Sequence, residues 1–181
     1  MDNNKPLQGL KILDFTTIVM GPASTRILSD CGAEVIKVES STRTDTLRSA
    51  TPYKGEDPSP NRSGYFALYN AGKLSLPINM RKPESIEFVK EHLVPWADVI
   101  VTAFTPRVLP LWGMTYSELS AIKPELIMLS ACLMGNTGPY ADLRGTGQLA
   151  AALSGWYENT GWADKEPVGP YSAYADFVSW N

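Results

Sequence analysis

Histidine is nearly missing from this chain: among 181 residues it occurs once, at His92. That residue falls in the middle of "EFVKEHLVP", where a solvated or helix-end position is expected. With no second histidine, Ser-His-Asp and Cys-His nucleophilic systems are excluded unless another chain contributes. Cysteine is almost as scarce. Cys31 and Cys132 lack metal-ligand spacing and are too few for a disulfide framework, so they read as buried, reduced thiols. No cluster of His, Cys or carboxylate residues suggests a metal site, and none is expected. No apolar run approaches the roughly 20 residues of a membrane helix. The N-terminal residues enter a strand without an apolar leader, so a cytoplasmic location is expected. Basic residues thin out along the chain, with only Arg144 and Lys165 after Lys123, and the net charge is −3. A generally basic nucleic-acid binder is thereby excluded. Phosphate-loop and dinucleotide signatures are missing too: there is no G-x-x-x-x-G-K-[ST], and no G-x-G-x-x-G after the first strand.

What is present is ordinary for a globular protein: 44% apolar and 19% charged residues. The length suffices for one domain with a real core, or for a large part of a bigger one. Short apolar runs predict strands at Leu10 to Phe15, Val35 to Val38 (extending over Glu34 to Glu39), Leu74 to Ile78, Val99 to Thr102 and Leu126 to Ser130. Such runs suit strands buried on both faces. Helices are expected between them. Ala23 to Cys31 follows a proline suited to a first helical turn. Pro83 to Trp96 places Ile86, Phe88, Val89 and Leu93 on an apolar side. Thr115 to Ile122 opens with a Thr-x-x-Glu capping signal. The alternation predicts an α/β fold, Rossmann-like, with a mostly parallel sheet flanked by helices and ligand loops at the C-terminal strand ends.

Two loops and one carboxylate stand out. Ser40 to Ser63 is long and polar, and loops of that length are usually functional or disordered. Its neighbourhood from Lys37 to Lys82 holds Arg43, Arg48, Lys54, Arg62, Lys73 and Arg81: a solvated charged face or a site for a phosphate-bearing ligand. "ACLMGNTGP", from Ala131 to Pro139, is a Gly-rich loop directly after a strand, where backbone amides can meet a ligand. Asp176 lies in "GPYSAYADFVSW" among apolar and aromatic neighbours, where an ionised group needs support. It reads either as a helix N-cap before Phe177 or as a reactive carboxylate, and the two are compatible.

The landmarks "LDFTTIVMGP", "GAEVIKVE", "NAGKLSLPINM", "ADVIVTAFTPRVLPLWGM", "NTGPYAD", "AALSG" and "AYAD" occur in an order and spacing that resembles the class III CoA-transferases (the CaiB/BaiF, or formyl-CoA transferase, family). The resemblance runs from Leu7 to the last residue. It implies transfer of CoA from an acyl-CoA thioester to a free carboxylic acid, through an aspartyl mixed anhydride and an aspartyl-CoA thioester. By that resemblance Asp176 is the nucleophile, and Gly135 opens the Gly-rich loop that closes near the thioester. Ile18, Val19 and Met20 match the loop against the pantetheine arm, and Lys73 a lysine near the CoA phosphates. Arg43, Phe104 and Asn136 complete the implied CoA contacts. CoA or acyl-CoA is a substrate, with no permanently bound cofactor. The expected partners are acyl-CoA and a carboxylic acid, not nucleic acid or membrane, together with an interlocked homodimer or a sister subunit. Aromatic neighbours of Asp176 (Tyr171, Tyr174, Phe177, Trp180) suit exclusion of water, or equally a plain core.

Departures from the family pattern are informative. Ser40 and Ser41 replace basic residues after "KVE", with Arg43 slightly later; Ala103 precedes Phe104 where asparagine is common; Leu111 stands in place of an arginine. Gly145-Thr146-Gly147 lacks the acid or histidine found in relatives, which argues against racemase chemistry. Members of the family are about twice as long, so residues 1–181 are expected to form an N-terminal CoA-binding α/β domain, truncated and inactive alone, without the small domain and C-terminal return. Two other readings stay open: a non-catalytic CoA-binding subunit of a heteromeric transferase, and a non-enzymatic α/β small-molecule binding module.

Overall fold

The computed structural model describes residues 5–179. Five parallel strands make one sheet in the order β3-β2-β1-β4-β5, where β1 is Lys11–Phe15, β2 Glu34–Glu39, β3 Leu74–Pro77, β4 Val99–Thr102 and β5 Ile127–Ser130. The expected α/β fold is thus what forms. β1 lies in the middle, pairing Ile12 with Val35 on one side and with Val99 on the other. Alternate residues of a strand point to opposite faces. Leu13, Phe15 and Ile100 therefore enter one apolar cluster with Val89, Val94, Met114 and Leu119, and Ile12, Val35 and Val101 enter another with Leu28. Burial on both faces is why β1, β2 and β4 read as continuous apolar runs. The edge strands β3 and β5 depart from that expectation, with Leu74, Ile127 and Leu129 exposed because no strand among the described residues covers the outer edges of the sheet.

Helix α1 (Met20–Asp30) begins three residues earlier than expected. Pro22 is its third residue, where the amide would be unpaired in any case, so proline is no obstacle there. α2 (Gly64–Asn70) is capped by Ser63, whose hydroxyl accepts the Phe66 N–H. The run from Pro83 is helical throughout but not uniform: α3 (Pro83–Phe88) widens into a π-helical stretch, Val89–Leu93, before the single turn α4 (Val94–Trp96). Pro95 has no N–H to donate to the Glu91 carbonyl, and the wider turn accommodates that loss. The change of pitch also moves Phe88 off the apolar side; it is exposed and packs on His92, the rings 5.0 Å apart. After the short α5 (Val108–Leu111), helix α6 (Tyr116–Ile122) carries the expected capping box between Thr115 and Glu118. Both cysteines are free thiols, half-buried and not fully buried as expected.

Beyond β5 the chain forms three short helices: α7 (Gly147–Leu153) and α8 (Trp156–Asn159), which the sequence pattern did not predict, and α9 (Tyr174–Val178), which begins two residues before the expected cap at Asp176. No helix among the described residues is long and apolar enough to cross a membrane. The strand order reverses between β1 and β4. In open parallel sheets the crevice at such a reversal, beyond the C-terminal strand ends, is where ligands bind.

Candidate functional site

Asp176 is the third residue of α9 and half-buried. It does not cap its own helix, as one reading expected; Ala173 occupies that position. Its Oδ2 instead accepts the N–H of Gly147, the first residue of α7, at 2.9 Å. The carboxylate therefore sits where two helix starts meet, in a partly positive field of unpaired amides. Close approach depends on Gly147 having no side chain. A Cβ built there would lie 2.5 Å from the Asp176 amide nitrogen and 2.9 Å from the Ala173 carbonyl oxygen.

The next residue, Phe177, ties this helix to the loop after β1. It packs on a buried cluster of Val19, Ala23, Leu47 and Tyr69. Within that loop Ile18 adopts a left-handed backbone, φ 70°, with a 42% exposed side chain. A β-branched residue there is strained by roughly 1–3 kcal/mol and persists only when its surroundings enforce it. Met20, half-buried, starts α1.

Beneath the loop lies a buried ionic network. Asp14 on β1 is wholly buried and accepts the Thr16 N–H and hydroxyl, the Thr25 hydroxyl and the Lys73 ammonium. Burial alone would raise its pKa; Lys73 and Lys37 together with the two hydroxyls outweigh that and hold it below the usual carboxylate range. Lys73 donates to Asp14 at 3.0 Å, to the Pro22 carbonyl at 2.9 Å and to Asn70 Oδ1 at 3.0 Å. Burial pushes its pKa down to about 8, against the pull of Asp14.

A family model for CoA-transferase family III matches residues 7–179. The chain belongs to CoA-transferase family III. It is 36% identical over 180 residues to the human succinyl-CoA:glutarate CoA-transferase, an alignment that covers 99% of this chain and 40% of the relative. It is also 36% identical over 163 residues to the Acetobacter aceti acetyl-CoA:oxalate CoA-transferase, covering 90% and 40%. A crystal structure of a CaiB/BaiF family protein from Brucella suis superposes with a TM-score of 0.84 at 38% identity, over 96% of this chain and 45% of that one. The chain spans about 40% of the length of these curated relatives.

Within this family III chain, the residues expected at the site separate into groups. Asp176 and the Ile18–Met20 loop are brought together through Phe177 and Val19. Arg43 is exposed just beyond β2, and among the described residues its side chain has no ion pair. Lys73 meets three protein acceptors, its side chain only 1% exposed, so in this arrangement it is closed to a phosphate. Arg48 is likewise engaged, forked onto Glu39 and stacked on Phe66 at 3.6 Å. Phe104 packs edge-on against Trp112, ring centroids 5.1 Å apart. Gly135 and Asn136 lie in the exposed loop after β5. The Gly135 N–H turns back to the Cys132 carbonyl at 3.3 Å, and the Asn136 amide oxygen accepts the Cys132 thiol. Asn136 also borders an open groove of about 350 Å³ with Pro106, Leu109, Met128 and Ser130. The expected aromatic enclosure is partial: Tyr174 packs on Trp156, Tyr171 is 95% exposed, and Trp180 lies outside the described residues.

Asp14, Lys37, Asp45 and Gly147 were not foreseen as site residues. The available signal for the first two was a charge flanked on both sides by apolar residues within a strand, since such a charge must have a buried partner. For Gly147 no sequence signal exists, because its role is a distance to a residue 29 positions away. Gly147→Ala is expected to displace Asp176: kcat falls about 100-fold and stability by about 1–3 kcal/mol, while CoA affinity changes little. Steady-state kinetics with CoA binding in the native-length protein checks this, and an unchanged kcat would contradict it.

Proposed function

We propose that the native-length protein transfers CoA from an acyl-CoA thioester to a free carboxylic acid, with Asp176 as the nucleophile. The observation that carries this reading is a half-buried carboxylate in a family III chain, held through one oxygen by Gly147 and packed beside the β1–α1 loop. With Oδ2 engaged, Oδ1 attacks the thioester carbonyl carbon. The C–S bond breaks, CoA leaves as thiolate and a mixed anhydride remains. The thiolate then attacks the aspartyl carbonyl, expelling the donor acid as carboxylate and leaving an aspartyl-CoA thioester. The acceptor carboxylate attacks that thioester, CoA thiolate departs again, and its attack on the acceptor carbonyl releases the new acyl-CoA and restores Asp176. Dividing the exchange in this way avoids one unfavourable direct displacement.

The CoA chain is assigned to the crevice beyond β1, where the strand order reverses, and extends past the end of β2. Ile18, Val19 and Met20 lie along the pantetheine arm, and Arg43 is the cation placed to meet a phosphate. Lys73 contributes from below, by fixing Asp14 and the start of α1. Phe104, Gly135 and Asn136 are assigned to the neighbouring loops at β4 and β5; for the Gly135 amide to serve an oxyanion, its turn onto Cys132 opens first. CoA is a substrate here and no permanently bound cofactor is invoked. Residues 1–181 form the N-terminal CoA-binding α/β domain of a cytoplasmic enzyme that works as an interlocked dimer, or with a sister subunit, and this segment alone is inactive.

Initial-rate kinetics test the proposal. Varying acyl-CoA at several fixed acid concentrations gives parallel double-reciprocal lines if a covalent enzyme form separates two half-reactions. Intersecting lines would mean that the donor acid stays bound until the acceptor arrives, and no transfer to any carboxylic acid would contradict the proposal.

A further inference from the structure

Ile18 is one of two non-glycine residues with positive φ among those described, and its exposed side chain gives it no burial to offset the strain. The restraint comes from its backbone. The Ile18 N–H donates to both oxygens of Asp45, at 3.2 Å each. Asp45 is 27 residues away, at the start of the 3-10 turn Thr46–Ser49, and its side chain is completely buried. Its carboxylate also accepts the Leu47 N–H and pairs with Lys37 Nζ at 3.3 Å. Lys37, buried on β2, donates in turn to the Thr16 carbonyl at 2.7 Å. One ion pair thus grips the backbone on both sides of Thr17, through the carbonyl before it and the amide after it. A second carboxylate keeps Asp45 in place: Glu39 accepts the Asp45 N–H at 3.0 Å and is itself forked by Arg48.

Two buried charges that hold the backbone of one loop from both sides are an expensive way merely to join secondary structure, because an apolar pair of equal size serves stability as well or better. What the ionic pair adds is a fixed geometry at a strained residue, and strain of this kind collects where a ligand is met. We infer that Asp45, backed by Lys37, is a positioning residue that holds Ile18 in its left-handed conformation and thereby sets the face the β1–α1 loop turns to the acyl-CoA. The inference rests on the proposed function.

The test is a double-mutant cycle in the native-length protein, because glycine adopts φ near 70° without strain and so needs no clamp. Asp45→Asn is expected to raise KM for acyl-CoA about tenfold, with kcat changed less than about threefold. In an Ile18→Gly background the same Asp45→Asn change is expected to alter KM by less than about twofold. If Asp45→Asn does not fold, Lys37→Gln takes its place in the cycle with the same expected coupling. In the unmutated protein the Ile18 amide should exchange at least about 100-fold more slowly than an unstructured amide. Equal KM effects in both backgrounds, no KM effect at all, or an unprotected Ile18 amide would overturn the inference while transfer persists. Absence of any transfer by the unmutated protein would overturn the reading of the site, and this inference with it.

Discussion

Replacing Asp176 by asparagine in the native-length protein should lower the transfer rate by at least about 10³-fold, which is about 4 kcal/mol of lost transition-state stabilisation. The substitution keeps the shape of the side chain and an oxygen able to accept the Gly147 N–H, so α7 and α9 remain joined. It removes the nucleophile alone, since a neutral amide oxygen does not form the anhydride. Folding stability should change by less than about 1 kcal/mol, and acyl-CoA should still bind, because no CoA contact is assigned to the lost charge. Rate, melting temperature and CoA affinity measured on the same preparation separate these effects. A parallel fall in all three would mean that Asp176 holds the fold and not the chemistry.

The largest stability effect is expected from Lys73→Met, at about 3–5 kcal/mol. Asp14 is wholly buried and Lys73 is its direct cation, so the variant leaves a buried charge facing two hydroxyls, an amide and a more distant Lys37. Denaturant unfolding measures the loss; a change below about 1 kcal/mol would contradict the account. The pair also predicts pH behaviour. Burial lowers the Lys73 pKa from 10.5 to about 8, so in that window the unfolded chain holds a proton the native state has lost. This group's contribution to stability therefore rises with pH between about 8 and 10.5. Asp14 acts at the other end: its pKa lies below 3.8, so its contribution is present above that value and is lost as pH falls through the native pKa. A side-chain NMR titration of Lys73 should show its midpoint near 8, and Asp14→Asn should move that midpoint lower still, because the main charge opposing burial is then gone.

The sheet was legible because its central strands β1, β2 and β4 are buried and the exposed edge strands β3 and β5 carry the same apolar pattern, and a short apolar run between polar loops has few other uses in a chain of this alternation. Val99 to Thr102 was read to the residue, and the capping box at Thr115 and Glu118 was read from spacing alone. Helices α7 and α8 were missed, and the start of α9 was misplaced, for a physical reason. Each is seven residues or fewer, too short for a repeating apolar face, and held by its neighbours, as α7 and α9 are by Asp176 and Gly147. At the site, the role proposed for Asp176 came from resemblance, because a single acid among aromatic residues fits an N-cap equally well. The hardest matter to read was charge. Lys37, Arg48 and Lys73 look in sequence like part of a basic face, yet each is paired inside with Asp45, Glu39 or Asp14. Those partners come from other strands and turns, 8, 9 and 59 residues away. Only tertiary structure separates them from Arg43, which stays at the surface.

The central claim is a covalent bond at Asp176, and intact-protein mass spectrometry tests it most directly. The native-length protein and its Asp176→Ala variant would each be incubated with a panel of acyl-CoAs, then treated with hydroxylamine. The account predicts a mass increase matching CoA or the acyl group in the unmutated protein, removed by hydroxylamine and missing from the variant. An adduct of equal size in both proteins, or none with any donor although CoA binds, would contradict it.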